Sequence, residues 1–310
     1  MGLGAATTLA YALFDSFAIL LAARLAWGLS WSFIRHASVT NLAATDPAAR
    51  GQMMGFYSAL SRTGGIAGIV LGELMFDIFG FEATFLLLAL VSALAVPMPL
   101  RVGFTTSEHW RTAKEGGPNA LLIAGLCVSA VGPGLVMSTL GFVLMDRIGE
   151  SLTVAGLAIG IATLNGLLLG SRWIFDTACG PLFGALADRY GMRLSASMFF
   201  TSGLLALAAL IVGDGVLILS AGILWFFASG TGLQVMLAGE ASRHGSGYYA
   251  RFATAGDVGA AASPLIGWSV VQAAMPNGAV FGAGGLLYVA GFAAALAAFR
   301  TKTGVPEHPD

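Results

Sequence analysis

Five ionisable side chains stand inside otherwise apolar stretches of this sequence and are the first candidates for chemistry. They are Arg24, Arg62, Arg172, Asp176 and Asp257. An unpaired charge is costly to bury in an apolar medium, so such residues pair with one another or serve the movement of ions and protons. Arg172 and Asp176 are four residues apart and share a helix face. We expect the five side chains to form ion pairs or to couple proton movement to another process.

Each of these charges also has a simpler structural role as an alternative. Arg24 can donate to backbone carbonyl groups, and Asp176 can form a local pair with Arg172. Asp257 can stay unpaired or reach Arg251, six residues earlier. Residue types alone leave these alternatives open.

A second group of residues could line a ligand cavity. Trp27 and Trp31 follow Arg24 by three and seven residues, so the three side chains share a helix face. Asn165 and Gln234 are amide side chains in otherwise apolar segments. Aromatic and amide groups suit an amphipathic ligand. Each of the four could instead make a helix–helix contact.

The composition requires an apolar environment around the chain. Of its 310 residues, 57% are hydrophobic and 10% are charged, whereas soluble domains carry about 25% charged residues. The mean hydropathy is +0.82. These values exclude a soluble globular enzyme and a disordered chain.

The net charge of −1 lacks the excess of basic residues that nucleic-acid binding requires. Only Cys127 and Cys179 occur, so we expect no metal site and no cofactor.

Polar breaks divide the chain into one short and nine full apolar segments, which predicts an all-α polytopic membrane protein with about ten transmembrane helices. The segments run over residues 2–14, 16–42, 52–79, 82–100, 119–144, 152–178, 194–213, 215–239, 249–275 and 279–299. The longest break holds three basic residues and is the natural linker. We therefore predict a partial N-terminal helix bundle (1–100), a cytoplasmic linker (101–118), a C-terminal six-helix bundle (119–300) and a cytoplasmic tail (301–310).

The distribution of basic residues predicts the orientation in the membrane. One set of alternate loops, together with the tail, holds nine lysine and arginine residues, and the opposite set holds Arg147 alone. Basic residues concentrate in cytoplasmic loops. We expect the nine-residue side and the C-terminus to be cytoplasmic, in the plasma (cytoplasmic or inner) membrane.

An internal repeat appears when the chain is shifted by 195 residues, which superimposes stretches 61–72 and 256–267. The shift aligns Gly64 with Gly259, Gly68 with Ser263, Gly72 with Gly267, and Arg62 with Asp257. Parallel repeats of this kind occur in transporters. Two such halves need about 390 residues, so we expect about 80 residues, or two helices, to be missing ahead of Met1. A genuine short variant is the alternative.

The stretch 180–193 reads GPLFGALADRYGMR. It resembles the G-x-L-x-D-R-x-G-R-[RK] loop of the major facilitator superfamily, in the copy between helices eight and nine. Met192 departs from this motif, because the family often has a basic residue there. The resemblance implies a gating loop that stabilises one of two conformations, and an ordinary basic loop is the alternative. We expect its residues to be Gly180, Gly184, Asp188, Arg189, Gly191 and Arg193.

Two further motifs resemble the same family. Residues 24–28 are similar to the R-x-x-Q-G motif of helix four, with Trp27 in place of glutamine. The spacing of Gly55, Gly64, Gly68 and Gly72 is similar to that of the helix-five antiporter motif, with Ile69 and Glu73 as departures. The motif implies proton-coupled export, but these glycines, like Gly259, Pro264 and Gly267, could serve helix packing alone.

The resemblance covers the whole chain as helices three to twelve of a twelve-helix fold. It implies two helix bundles, a central cavity and alternating access. In that fold helices five and eight pack across the halves, which favours an Arg62–Asp176 ion pair. We expect a monomeric secondary transporter of a small solute in the lipid bilayer, coupled to protons and an exporter or antiporter. A non-transporting scaffold or sensor, an inactive truncated product and a membrane-embedded enzyme are the alternatives. No catalytic motif supports an enzyme.

Overall fold

The computed structural model describes residues 1–43, 47–98, 116–154, 157–276 and 278–300. Helices make up nearly all of this part of the chain. Two units are distinguished by their internal contacts, Met1–Arg111 and Thr112–Asp310. The predicted linker and tail lie outside the described residues except for residues 116–118, so the predicted domain boundaries stay predictions.

The N-terminal unit consists of α1 (Gly2–Leu13), α2 (Phe17–Ala43) and α3 (Pro47–Leu94). Helix α1 packs against both α2 and α3. The buried side chains described in this unit are small: Thr7, Ala23, Ser30, Thr84 and Ala89. The large apolar side chains remain mostly exposed, as in helices that face lipid.

Gly80 breaks α3 into two rods. Its φ of 78° and ψ of 178° are not helical, and glycine adopts a positive φ without steric cost. The hydroxyl of Thr84 donates to the Gly80 carbonyl oxygen at 2.7 Å, one turn back at the start of the second rod. The structure therefore has a break at Gly80, between the predicted segments 52–79 and 82–100.

The C-terminal unit begins with α4 (Asn119–Ser129), a π-helical segment (Ala130–Val136) and α5 (Met137–Ile148), which follow one another as a single rod. Pro133 lies inside the π-helical segment. Proline lacks an N–H and crowds the preceding turn, and the wider π-helical turn accommodates it. The Ser263 hydroxyl donates to the Ala130 carbonyl oxygen at 2.5 Å.

A β-hairpin replaces the first part of the segment predicted as a helix over 152–178. Strands β1 (Ser151–Val154) and β2 (Leu157–Gly160) pair antiparallel, with Ser151 opposite Gly160. The Ile161 N–H donates to the Glu150 carbonyl oxygen at 3.0 Å and closes the hairpin. Glycines at 149 (φ 100°) and 160 (extended) interrupt the helical backbone on either side. Helix α6 therefore runs only over Ile161–Ala178.

The segment predicted as a gating loop is largely helical. Helix α7 (Gly180–Tyr190) follows α6 after Cys179, and the chain turns at Gly191, where φ is 82°. The loop was expected from the family motif, and the small residues within that motif are compatible with a helix. The positive φ of Gly191 makes the turn into α8.

Four helices complete the C-terminal unit: α8 (Met192–Val212), α9 (Val216–Arg243), α10 (Ser246–Gln272) and α11 (Gly278–Arg300). Fully buried aromatic rings fill its core, among them Phe200, Phe226, Phe227, Phe281 and Tyr288. At one end of the unit Arg147 donates to the carbonyl oxygens of Leu210 and Gly213, at 3.2 and 2.7 Å, and holds the turn between α8 and α9.

Six helices in the described residues are long and apolar enough to cross a membrane. They are Phe17–Arg35, Ala59–Leu94, Asn119–Ile148, Met192–Val212, Val216–Arg243 and Gly278–Phe299. The sequence predicted nine full spans. The difference has three sources: α3 counts once despite its break, the hairpin shortens α6, and both α6 and α10 carry charged residues that lower their hydropathy.

Candidate functional site

Arg172 is held in the interior of the C-terminal unit by uncharged acceptors. One of its terminal nitrogens, Nη1, donates to the Met137 sulfur at 3.1 Å, and Nη2 reaches the Gln234 Oε1 at 3.5 Å. The guanidinium carbon lies 5.6 Å from the ring centroid of Trp173. Helices α5, α6 and α9 together position this cation.

Asp176 lies one turn further along α6, on the same face as Arg172. It accepts a hydrogen bond from the Thr231 hydroxyl on α9 at 2.7 Å. The two charged groups also interact electrostatically. Thr231 and Gln234 are three residues apart, so one face of α9 supplies partners to both charges.

Tyr288 on α11 is fully buried and lies within electrostatic range of Arg172. Its ring packs against Phe200 and Phe226, with centroids 5.7 and 5.5 Å away. Gly203 lies so close that a Cβ there would come within 2.7 Å of the Tyr288 ring. The hydroxyl is buried and has no hydrogen-bond partner in the described part of the chain.

These side chains form one polar cluster inside an apolar unit. We call Arg172, Asp176, Thr231, Gln234 and Tyr288 the α6–α9–α11 cluster. It contains one cation, one carboxylate, two hydroxyl groups and one amide. Arg172, Asp176 and Gln234 are partly exposed, so the cluster can exchange protons or hydrogen bonds with a small ligand.

Asn165, the other predicted cavity amide, lies two turns before Arg172 on α6. It is buried, and its amide faces α5, where a Cβ on Gly141 would lie 3.4 Å from its nitrogen. The structure therefore brings Gln234 to Arg172 and places Asn165 nearer the hairpin end of α6.

The predicted cavity residues of the N-terminal unit form a separate arrangement. Trp27 and Trp31 stack with ring centroids 6.1 Å apart and planes 3° from parallel. The guanidinium carbon of Arg24, an exposed side chain, lies 5.1 Å from the Trp27 centroid. Both tryptophans line a cavity of about 240 Å³ between α1, α2 and the end of α3.

Arg62 is partly buried on α3, and it has an interaction partner. It belongs to the N-terminal unit and Asp176 to the C-terminal unit, so the Arg62–Asp176 pair stays a prediction. Asp257 is exposed on α10 and forms no ion pair with Arg251 or any other described residue.

The residues of the predicted gating loop lie on α7 and at the start of α8. Gly180 and Gly184 are in the first half of α7, and Gly191 makes the turn. Asp188, Arg189 and Arg193 are exposed around this turn. Asp188 precedes the N-terminus of α8, although α8 has no side-chain cap. Arg189 lies over the Tyr190 ring at 5.4 Å. By the succession of helices, this turn is at the opposite end of the unit from Asp146.

The two predicted small-residue stretches differ in their surroundings. A Cβ on Gly259 would come within 2.3 Å of the Leu126 carbonyl oxygen, and one on Gly267 within 2.8 Å of the Thr139 methyl group. Pro264 lies between them in α10. No described atom comes within 4 Å of a Cβ on Gly64, Gly68 or Gly72. The surroundings of Gly55 lie outside the described residues.

Sequence reasoning missed two members of the cluster, Thr231 and Tyr288, and also Met137, which accepts from Arg172. A signal for Thr231 was available, because it stands three residues before Gln234 on one helix face. Tyr288 is a polar-tipped aromatic in an apolar helix, and such a group needs a hydrogen-bond partner when buried. Met137 had no sequence signal.

Comparisons with known proteins identify the fold. The family model described as Major Facilitator Superfamily matches residues 1–264. The chain is similar to a solved structure described as "Crystal structure of a bacterial homologue of iron transporter ferroportin in inward-facing state", with a TM-score of 0.62, 16% identity, and coverage of 96% of this chain and 78% of that chain. The outward-facing structure of such a homologue gives a TM-score of 0.49 at 17% identity, covering 96% and 79%. No curated protein matches.

Proposed function

The chain belongs to the major facilitator superfamily and is an integral membrane protein, and from this premise we propose that it moves a small solute across the membrane by alternating access. The observation that carries the proposal is the α6–α9–α11 cluster. Charged side chains inside a membrane unit are costly and mark pathways for ions, protons or substrate. The family assignment supports a transporter rather than an enzyme.

Asp176 is the proposed proton-coupling residue. A carboxylate gains a charge when it loses a proton, and here that change alters both its bond to Thr231 and its attraction to Arg172. Either change alters how α6 is held against α9. A proton on Asp176 therefore favours one arrangement of the helices over the other, which is how binding energy shifts a two-state equilibrium.

The other sequence-based roles are part of the same proposal. Arg62 would pair with Asp176 when the cytoplasmic ends close together, and Arg24 would contribute a second coupling charge. The α7–α8 turn with Asp188 would act as the cytoplasmic latch. The spacing of the α3 glycines supports export or antiport, and the distribution of basic residues supports a cytoplasmic C-terminus in the inner membrane. We propose that the transporter acts as a monomer.

Reconstitution tests the coupling role. Purified protein in proteoliposomes, loaded with a pH-sensitive dye, should dissipate an imposed pH gradient when substrate is present. Asp176→Asn keeps the size of the side chain but cannot carry a proton, so we expect it to reduce coupled flux by about 10²-fold. The matched control is Asp214→Asn, because that side chain is 93% exposed at the far end of the unit.

Two results would count against the proposal. Unchanged proton flux in Asp176→Asn would remove Asp176 from the coupling mechanism. Equal losses in Asp176→Asn and Asp214→Asn would show a general effect of losing a carboxylate rather than a role for the cluster.

A further inference from the structure

The guanidinium of Arg172 has more donors than its partners use. A guanidinium carries five N–H donors and is always charged. Here two of its nitrogens reach a thioether, which is a weak acceptor, and an amide oxygen at 3.5 Å. No carboxylate among the described residues lies within ion-pair distance of Arg172. The cation is therefore held in the unit interior by one weak acceptor and one long hydrogen bond.

A second donor in the same place has no acceptor. The Tyr288 hydroxyl is buried and unbonded in the described part of the chain. A buried hydroxyl without a partner is unfavourable. It lies within electrostatic range of Arg172 and 3.7 Å from the Cβ position of Gly230 on α9, the helix that also carries Gln234.

The spare donors specify the chemistry of a ligand that would satisfy them. The Tyr288 hydroxyl lacks an acceptor and Arg172 has donors that its two acceptors leave unused, and a carboxylate supplies two acceptor oxygens that match a guanidinium edge. Asp176, the carboxylate nearest in sequence, accepts instead from Thr231. The Gln234 side chain accepts from Arg172 through its oxygen, which leaves its amide N–H groups for the same ligand.

We infer that the α6–α9–α11 cluster binds a small organic anion through its carboxylate, with Arg172 as the main contact and the Tyr288 hydroxyl and Gln234 amide as further donors. The inference rests on the proposed transport function, because it names the substrate class of that same site. It concerns binding alone and can be tested without transport.

Thermal unfolding of the purified full chain in detergent, followed by tryptophan fluorescence, tests the substrate class. The probes are benzoate, lactate and succinate, each compared with its uncharged amide: benzamide, lactamide and succinamide. At saturation at least one carboxylate should raise the Tm by about 2–5 °C, because a ligand that binds only the folded state stabilises it. The matched amide should have no effect.

Variants assign the binding to the cluster. Arg172→Gln should weaken the affinity for the active carboxylate by at least about tenfold, since it removes the charge-assisted bonds. Tyr288→Phe keeps the buried ring and removes one hydroxyl, so it should fold and weaken the affinity by about three- to tenfold. Arg251→Gln, an exposed cation on α10, is the matched control and should bind as the unmodified protein does.

The outcomes separate the two proposals. The anion site is wrong if none of the carboxylates shifts the Tm, if an amide acts as well as its carboxylate, or if Tyr288→Phe and Arg172→Gln bind normally. A carboxylate that binds in detergent but is not transported in proteoliposomes would overturn the proposed function and leave the site standing. Transport of another solute by a protein that binds no carboxylate would overturn the anion site and leave the proposed transport function standing.

Discussion

The small-residue stretch of α10 is closely packed, whereas the stretch of α3 that aligns with it is open. Both carry small residues at matching positions, with Gly259 aligned to Gly64 and Gly267 to Gly72. On α10 these glycines lie against the backbone of α4 and the side chain of Thr139. On α3 no described atom is near enough to touch an added methyl group. Spacing permits close packing, but a partner helix must be present for packing to occur.

The apolar helix α3 of the N-terminal unit is also less buried than apolar helices of the C-terminal unit. In Ala59–Leu94 11% of the most apolar window is buried, compared with 61% in Asn119–Ile148 and 50% in Val216–Arg243. Hydropathy alone would rank these helices as similar spans. Apolar character therefore selects a membrane environment, while side-chain shape and neighbouring helices select the contacts.

The largest expected effect separates the two glycine stretches directly. Gly259→Ala places a methyl group 2.3 Å from the Leu126 carbonyl oxygen, so α10 must move away from α4. We expect a loss of about 3 kcal/mol in the free energy of unfolding. Gly64→Ala should be neutral or stabilising by up to about 1 kcal/mol, because alanine is the better helix former. Unfolding in detergent measures both. An equal loss in the free energy of unfolding in the two variants would show that the two glycine stretches are packed alike.

A smaller effect is expected at the next aligned pair, Ser263 and Gly68. Ser263→Ala removes the hydroxyl that bonds the Ala130 carbonyl oxygen beside Pro133. That buried carbonyl group loses a donor, at about 1–2 kcal/mol. Gly68→Ser should leave stability within about 0.5 kcal/mol, since its surroundings are open. Retention of full stability in Ser263→Ala would show that the π-helical segment does not depend on this bond.

The smallest effect is expected at the exposed arginine of the N-terminal unit. Arg24 contacts the face of Trp27 at 5.1 Å, and an exposed cation–π contact contributes about 0.5 kcal/mol. Arg24→Gln should therefore cost about that much and shift tryptophan emission slightly, with Arg24→Lys as the control that keeps the charge. Arg172→Gln, at the polar cluster, should cost more. A large loss at Arg24 would indicate that it contacts more than Trp27.

Several elements were predictable from the sequence because their causes are local. A backbone in lipid must satisfy its own hydrogen bonds, so long apolar segments such as 194–213 and 279–299 become helices wherever they pack. Gly80 and the turn at residues 213–215 mark breaks, because glycine adopts backbone conformations that other residues avoid. The charges at 172 and 176 were identifiable as a site because they interrupt an apolar helix at one-turn spacing.

Only the tertiary structure decided which groups meet. The sequence did not predict that residues 151–160 form a hairpin or that the predicted gating loop continues as α7, because short segments change conformation with their surroundings. It also did not pair Asp176 with Thr231, or bring Tyr288 near Arg172, because those residues are 55 or more positions apart. Spacing along one helix determines which side chains share a face. The packing of several helices determines what that face touches, and this depends on side-chain shapes throughout the unit.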